Sequence, residues 1–117
     1  MKTATLDHGI VVIVPQGHLS NDDETDALEQ ALKQAFDQGS KHLIIDCTEV
    51  KKIDSTALGV LISAYSQAAR TGGRLILAKV GKTLKKTFVT TKLSLVFDFY
   101  PTVELAVAAL TQPQPET

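Results

Sequence analysis

Only one cysteine, Cys47, occurs in the 117 residues, which excludes an internal disulfide and a cysteine-rich metal site. Cys47 lies in an apolar run and reads as a small core residue. Tryptophan is absent and aromatics make up 5% of the chain. They are not interleaved with lysines, so no stacking platform for single-stranded nucleic acid is visible. Charge of one sign is not in excess. The net charge of −1 gives no global attraction to nucleic acid or to an anionic membrane. Long hydrophobic runs are missing too. The longest, Gly9 to Pro15, is far short of the ~20 residues that span a bilayer. Met1 to Asp7 lacks the apolar core of a signal peptide. A cytoplasmic protein with no membrane insertion is the expectation.

What is present is an ordinary core-forming composition, 44% hydrophobic and 21% charged, in a chain the length of one domain. Ile10 to Val14 is a continuous β-branched run and reads as a buried strand. His42 to Cys47 and Arg74 to Val80 read likewise, and Thr3 to Asp7 and Leu95 to Tyr100 are weaker strands. Between them, apolar residues recur at helical spacing. The first helix holds Ala27, Leu28, Ala31, Leu32, Ala35 and Phe36, with Asp22, Asp23 and Glu24 in its opening turn, where the helix dipole favours negative charge. Ser20 or Asn21 can cap it. Gly81 to Thr91 forms a basic helix, and Val103 to Leu110 a last one. The order ββαβαβαβα predicts an α/β fold: a small mixed sheet of about five strands, mainly parallel, with an antiparallel strand at one edge. The domain is placed at residues 1–110, and the polar, proline-rich 111–117 is expected to be a flexible tail.

The stretch that organises the rest is Lys51-Lys52-Ile53-Asp54-Ser55-Thr56-Ala57-Leu58. Asp54 or Ser55 reads as the N-cap of a helix that runs to about Arg70. Ser55 and Thr56 then stand on its first turn, which carries unpaired N–H groups and the positive end of the dipole. A phosphate on Ser55 would find donors there. Asp54 would repel it. The same residues can equally do no more than cap a helix, and both readings stand at this point.

Tests for catalytic chemistry fail one after another. Gly81-Lys82-Thr83 follows a strand and opens a helix, as a P-loop does, but the position needing the earlier glycine is Ile76. Asp46 ends a strand like a receiver's acceptor aspartate. The segment after Val14, Pro15-Gln16-Gly17, lacks the acidic pair that holds Mg²⁺ in receivers. Asp46 is therefore read as a turn or cap residue. His8, His18 and His42 have no metal-binding spacing. No glycine elbow surrounds Ser55, and no histidine has a place as its base. The expectation is a protein that is not an enzyme and uses no cofactor. The acidic first helix and the basic helix at Lys82, Lys85 and Lys86 are solvated faces or docking surfaces for partners of opposite sign.

Asp54-Ser55-Thr56-Ala57-Leu58-Gly59-Val60-Leu61, preceded by Leu43-Ile44-Ile45-Asp46 and followed by Thr71-Gly72-Gly73-Arg74-Leu75, resembles the STAS-domain anti-sigma factor antagonists of bacteria. Gly17-His18-Leu19 is similar to the family's glycine-x-leucine turn, and the resemblance runs from about Thr3 to Leu110. It implies a small mixed sheet with helices mostly on one side. It also implies a switch protein that binds an anti-sigma factor with serine/threonine kinase activity and so releases a sigma factor. The kinase would phosphorylate Ser55, the phosphorylated form would bind poorly, and a PP2C-type phosphatase would restore it. The partner-binding end would comprise Gly17, His18, Leu19, Ser20 and Asn21 together with Asp54, Ser55, Thr56, Ala57 and Leu58.

Two departures stand out: Ser20 where the family often has aspartate, and Ala57 where glycine is common. The alternative within the same resemblance is a constitutive STAS adaptor. An example is the small cytoplasmic subunit of a lipid-transport ABC complex, in which the hydroxyl serves docking alone.

Overall fold

The computed structural model describes residues 1–6, 9–19 and 22–111. Three buried strands form its centre: β2 (Ile10–Val14), β4 (His42–Asp46) and β6 (Arg74–Ala78). Their apolar side chains alternate between the sheet faces, as the two-residue period of a strand requires. Val11, Ile13, Leu43, Ile45, Leu75 and Leu77 enter the larger core. Ile10, Val12, Ile44, Ile76 and Ala78 enter a smaller one behind it. Apolar runs on both faces mean that both faces must be covered.

The coverage is uneven. Helices α1 (Asp22–Asp37), α2 (Ser55–Arg70) and α3 (Lys82–Thr90) close the larger core. Among the described residues, helix α4 (Val103–Thr111) is the one helix that covers the other face, through Ala106 with Val103, Val107 and Leu110. The expectation of helices mostly on one side therefore holds. The main sheet has five strands in the order β1-β2-β4-β6-β7, where β1 is Lys2–Thr5 and β7 is Asp98–Tyr100. Edge strand β1 pairs antiparallel with β2, and the other pairings are parallel.

Several details differ from the sequence reading. The first strand, expected at Thr3–Asp7, is Lys2–Thr5, and Asp7 lies outside the described residues. A second, two-stranded parallel ribbon joins β3 (Gly17–Leu19) to β5 (Val50–Ile53), where no strand was expected. Strands this short hold too few residues to show a period. The last strand begins at Asp98 rather than Leu95, because Lys92 takes a left-handed conformation (φ 64°) and Leu93–Leu95 coils into a 3-10 turn. Helix α4 includes Thr111, whose hydroxyl donates to the Val107 carbonyl at 2.9 Å, so the helix extends one residue into the expected tail. Residues 112–117 lie outside the described residues.

Gly73 shows why the α2–β6 connection needs its glycines. A Cβ on Gly73 would overlap the backbone carbonyl of Lys41. The chain passes so close to the start of β4 that only glycine fits.

Candidate functional site

Strand β5 delivers the chain to Asp54, which is extended (φ −100°, ψ 179°) and forms the N-cap of α2. Three hydrogen bonds fix it. Its N–H donates to the Leu19 carbonyl at the end of β3 (3.0 Å). Its Oδ1 accepts from the Ala57 N–H (2.9 Å). Its carbonyl accepts from the Leu58 N–H (2.9 Å). The β3–β5 ribbon and the start of α2 are thus one rigid unit. Gly17 begins that ribbon at φ 73° and donates its N–H to the Glu49 carbonyl (2.7 Å). The positive φ is inexpensive only for glycine.

Ser55 and Thr56 are exposed on the first turn of α2, which contains no acidic residue of its own. The Asp54 carboxylate satisfies the Ala57 N–H, the third of the turn. The N–H groups of Ser55 and Thr56 have no intrahelical acceptor and face the helix end. Ser55 therefore combines an accessible hydroxyl, a preformed backbone and a local field that favours an anion.

The ten residues expected at the partner-binding end divide into three groups. Gly17, His18, Asp54, Ser55 and Thr56 lie at the surface or partly so. Leu19, Ala57 and Leu58 are buried, at 1%, 0% and 7% exposure, and belong to the larger core. Their side chains hold the end in place from beneath. Ser20 and Asn21 lie outside the described residues. The sequence reading passed over Lys52, which the ribbon register sets opposite His18, both of them exposed. Lys51 is exposed beside it, so two cations lead directly into the Asp54-Ser55 corner. Their adjacency in sequence was the available signal.

The other candidates take structural places. Asp46 Oδ1 accepts from the Thr48 N–H (3.0 Å) and hydroxyl, forming the turn expected of it. His42 Nδ1 is buried, and the ring is held toward its neutral form by burial and by the charges of Arg74 and Lys41. Cys47 is buried, and burial, aided by the nearby Asp46 charge, pushes its thiol up to about 12. Thiolate is the reactive species. Native protein at neutral pH should therefore resist a disulfide reagent that labels one thiol per chain in denaturant. Prompt native labelling would contradict that burial.

Cap removal is testable at the same corner. Asp54→Ala should lower unfolding free energy by about 1 kcal/mol, the usual cost of losing a side-chain cap. Thermal denaturation measures this directly, and an unchanged melting temperature would show that the Ala57 bond contributes nothing.

Comparison with known proteins agrees with this architecture. A family model for the STAS domain matches residues 2–106. The chain belongs to the STAS domain family. An anti-sigma factor antagonist from Mycobacterium paratuberculosis is 27% identical, with a TM-score of 0.77 over 95% of this chain and 94% of that one. TM1081 of Thermotoga maritima is 19% identical, with a TM-score of 0.86 over 95% and 94% of the two chains. The Bacillus cell fate determinant SpoIIAA, solved in its phosphorylated form, is 21% identical, with a TM-score of 0.73 over 92% and 96%. In this STAS domain, no described helix is long and apolar enough to cross a membrane.

Proposed function

We propose that this STAS protein is an anti-sigma factor antagonist switched by phosphorylation at Ser55. In its unmodified form it binds an anti-sigma factor that is also a serine kinase, and the sigma factor is released. Phosphate on Ser55 ends the binding, and a PP2C-type phosphatase restores it. The protein acts as a cytoplasmic binding module and performs no chemistry itself. The observation that carries this reading is the exposed Ser55 at the head of α2, on a backbone locked by Asp54.

The physics of the corner supports a local switch. A phosphate adds about −1.5 to −2 charges and strong acceptor oxygens. At the head of α2 it suits the helix dipole, so the fold survives. In a closed interface the same charge must be desolvated, and it repels acidic groups on the partner. No large shape change is required. The similarity to a Mycobacterium anti-sigma factor antagonist over nearly the whole of both chains points the same way.

The test is displacement. The protein is added to a purified complex of the cognate sigma factor and anti-sigma kinase, and the mixture is resolved by size. Sigma factor should leave the complex in proportion to added protein. Sigma factor that stays bound at saturation would contradict the antagonist role.

A further inference from the structure

We propose that α3 and the turn after it form a peripheral docking surface for an anionic lipid bilayer. Between Lys79 and Phe97 the chain carries Lys79, Lys82, Lys85, Lys86 and Lys92 and no aspartate or glutamate. Lys82, Lys86 and Val89 are all exposed and fall at helical spacing along one stripe of α3. The stripe leads into three exposed apolar side chains: Val89 at 56%, Leu95 at 86% and Val96 at 40%. Two successive hydrogen bonds tie these positions together. The Lys92 N–H donates to the Val89 carbonyl (3.0 Å), and the Leu95 N–H donates to the Lys92 carbonyl (3.2 Å). Leu93 packs against the core while Leu95 points outward, so the 3-10 turn presents one leucine at a basic tip.

Among the described residues, no carboxylate pairs with the lysines of this tip, and the ion pair present is Arg74–Asp98. Lys85 lies over the Phe99 ring instead (3.4 Å). The acidic helix α1 packs chiefly against α2, β3 and β2, whereas α3 packs chiefly against β5 and the Leu93–Leu95 turn. The surface therefore matches an anionic partner in charge and offers it apolar groups. Its shape selects which one. A side chain as exposed as Leu95 protrudes, and a protein partner would need a fitted hole to receive it. A fluid bilayer needs none. Lysines around a short apolar tip are the composition that holds a protein at an anionic headgroup layer.

The test uses the full chain and sedimentation with vesicles. Phosphatidylglycerol vesicles should carry the protein down at low ionic strength, and phosphatidylcholine vesicles should leave it in solution. Lys86→Gln with Lys92→Gln should weaken partition roughly 20- to 30-fold, from the effect of each lysine near an anionic surface. Leu95→Ser should weaken it about tenfold through lost apolar burial. Asp23→Asn with Asp26→Asn, on α1, should change it little. Melting curves confirm that each variant is folded. Failure to sediment with phosphatidylglycerol overturns the proposal and leaves an acidic protein, or the acidic helix of a second copy, as the occupant. Binding that survives both the lysine and the leucine changes overturns it equally. The result is independent of whether Ser55 accepts phosphate.

Discussion

Ser55→Asp is expected to weaken binding to the anti-sigma kinase by about ten- to 100-fold while leaving the fold cooperative and nearly as stable as wild type. The two halves of this expectation have different causes. For stability, the new carboxylate stands on the first turn of α2, where the dipole contributes about 0.3–1 kcal/mol in its favour. Repulsion from Asp54, the neighbouring cap, offsets part of that. The net change in unfolding free energy should stay within roughly 0.5 kcal/mol, as for most exposed substitutions. For binding, the same charge must be desolvated where the proposed partner covers Ser55. A loss of about 1.4–2.8 kcal/mol corresponds to the ten- to 100-fold stated. Ser55→Ala should retain binding, because it adds no charge. Titration calorimetry of the three proteins against the kinase separates these cases. Equal affinities for wild type and Ser55→Asp would remove the switch from the account.

The largest effect on stability is expected at Phe88. It is fully buried and stacks edge-on against both Phe97 (5.7 Å between centroids) and Phe99 (5.4 Å). Phe97 in turn meets Tyr65 of α2 edge-on at 5.5 Å. Phe88 thus joins α3 to the last strand and, through Phe97, to the central helix. Phe88→Ala removes the ring contacts and leaves a cavity that a sheet on one side and helices on the other cannot close. The expected cost is about 3–5 kcal/mol. That is a large share of the ~5–15 kcal/mol that holds a domain of this size. Urea denaturation should show a midpoint shifted down by roughly 2 M, given a slope of about 1–3 kcal/mol per M. A loss below about 1 kcal/mol would mean that the aromatic cluster is not the joint described.

Where sequence and structure agree, the reason is a period long enough to be read. The runs read at Ile10–Val14, His42–Cys47 and Arg74–Val80 are apolar on both faces, and each contains a central strand, the second ending at Asp46 and the third at Ala78. Helix α2 begins at Ser55 and ends at Arg70, where the cap residue and the paired glycines marked it. Where they part, the period was too short or interrupted. His18 gave no strand signal, since β3 has only three residues and its pairing shifts register after Gly17. Leu95 and Val96 looked like the opening of a strand. A left-handed Lys92 diverted them into a turn at the surface.

The candidate site was legible in outline for a similar reason. An Asp-Ser pair before a helical period announces a capped N-terminus. Sequence alone does not say which neighbours turn inward. Leu58 lies on the core stripe of α2, three residues before Leu61, and is buried with it. Leu19 is drawn under by its place beside Ile53 in the ribbon. What remains outside is a small polar corner of His18, Lys52, Asp54, Ser55 and Thr56.

The proposed switch stands on Ser55 as the phosphate acceptor. Its most direct test is intact mass after incubation with ATP and the anti-sigma kinase from the same genome, followed by peptide mapping. The expected result is one added phosphate, mapped to Ser55 and absent from Ser55→Ala. An unmodified mass despite tight binding to that kinase would contradict the switch and make the protein a constitutive adaptor.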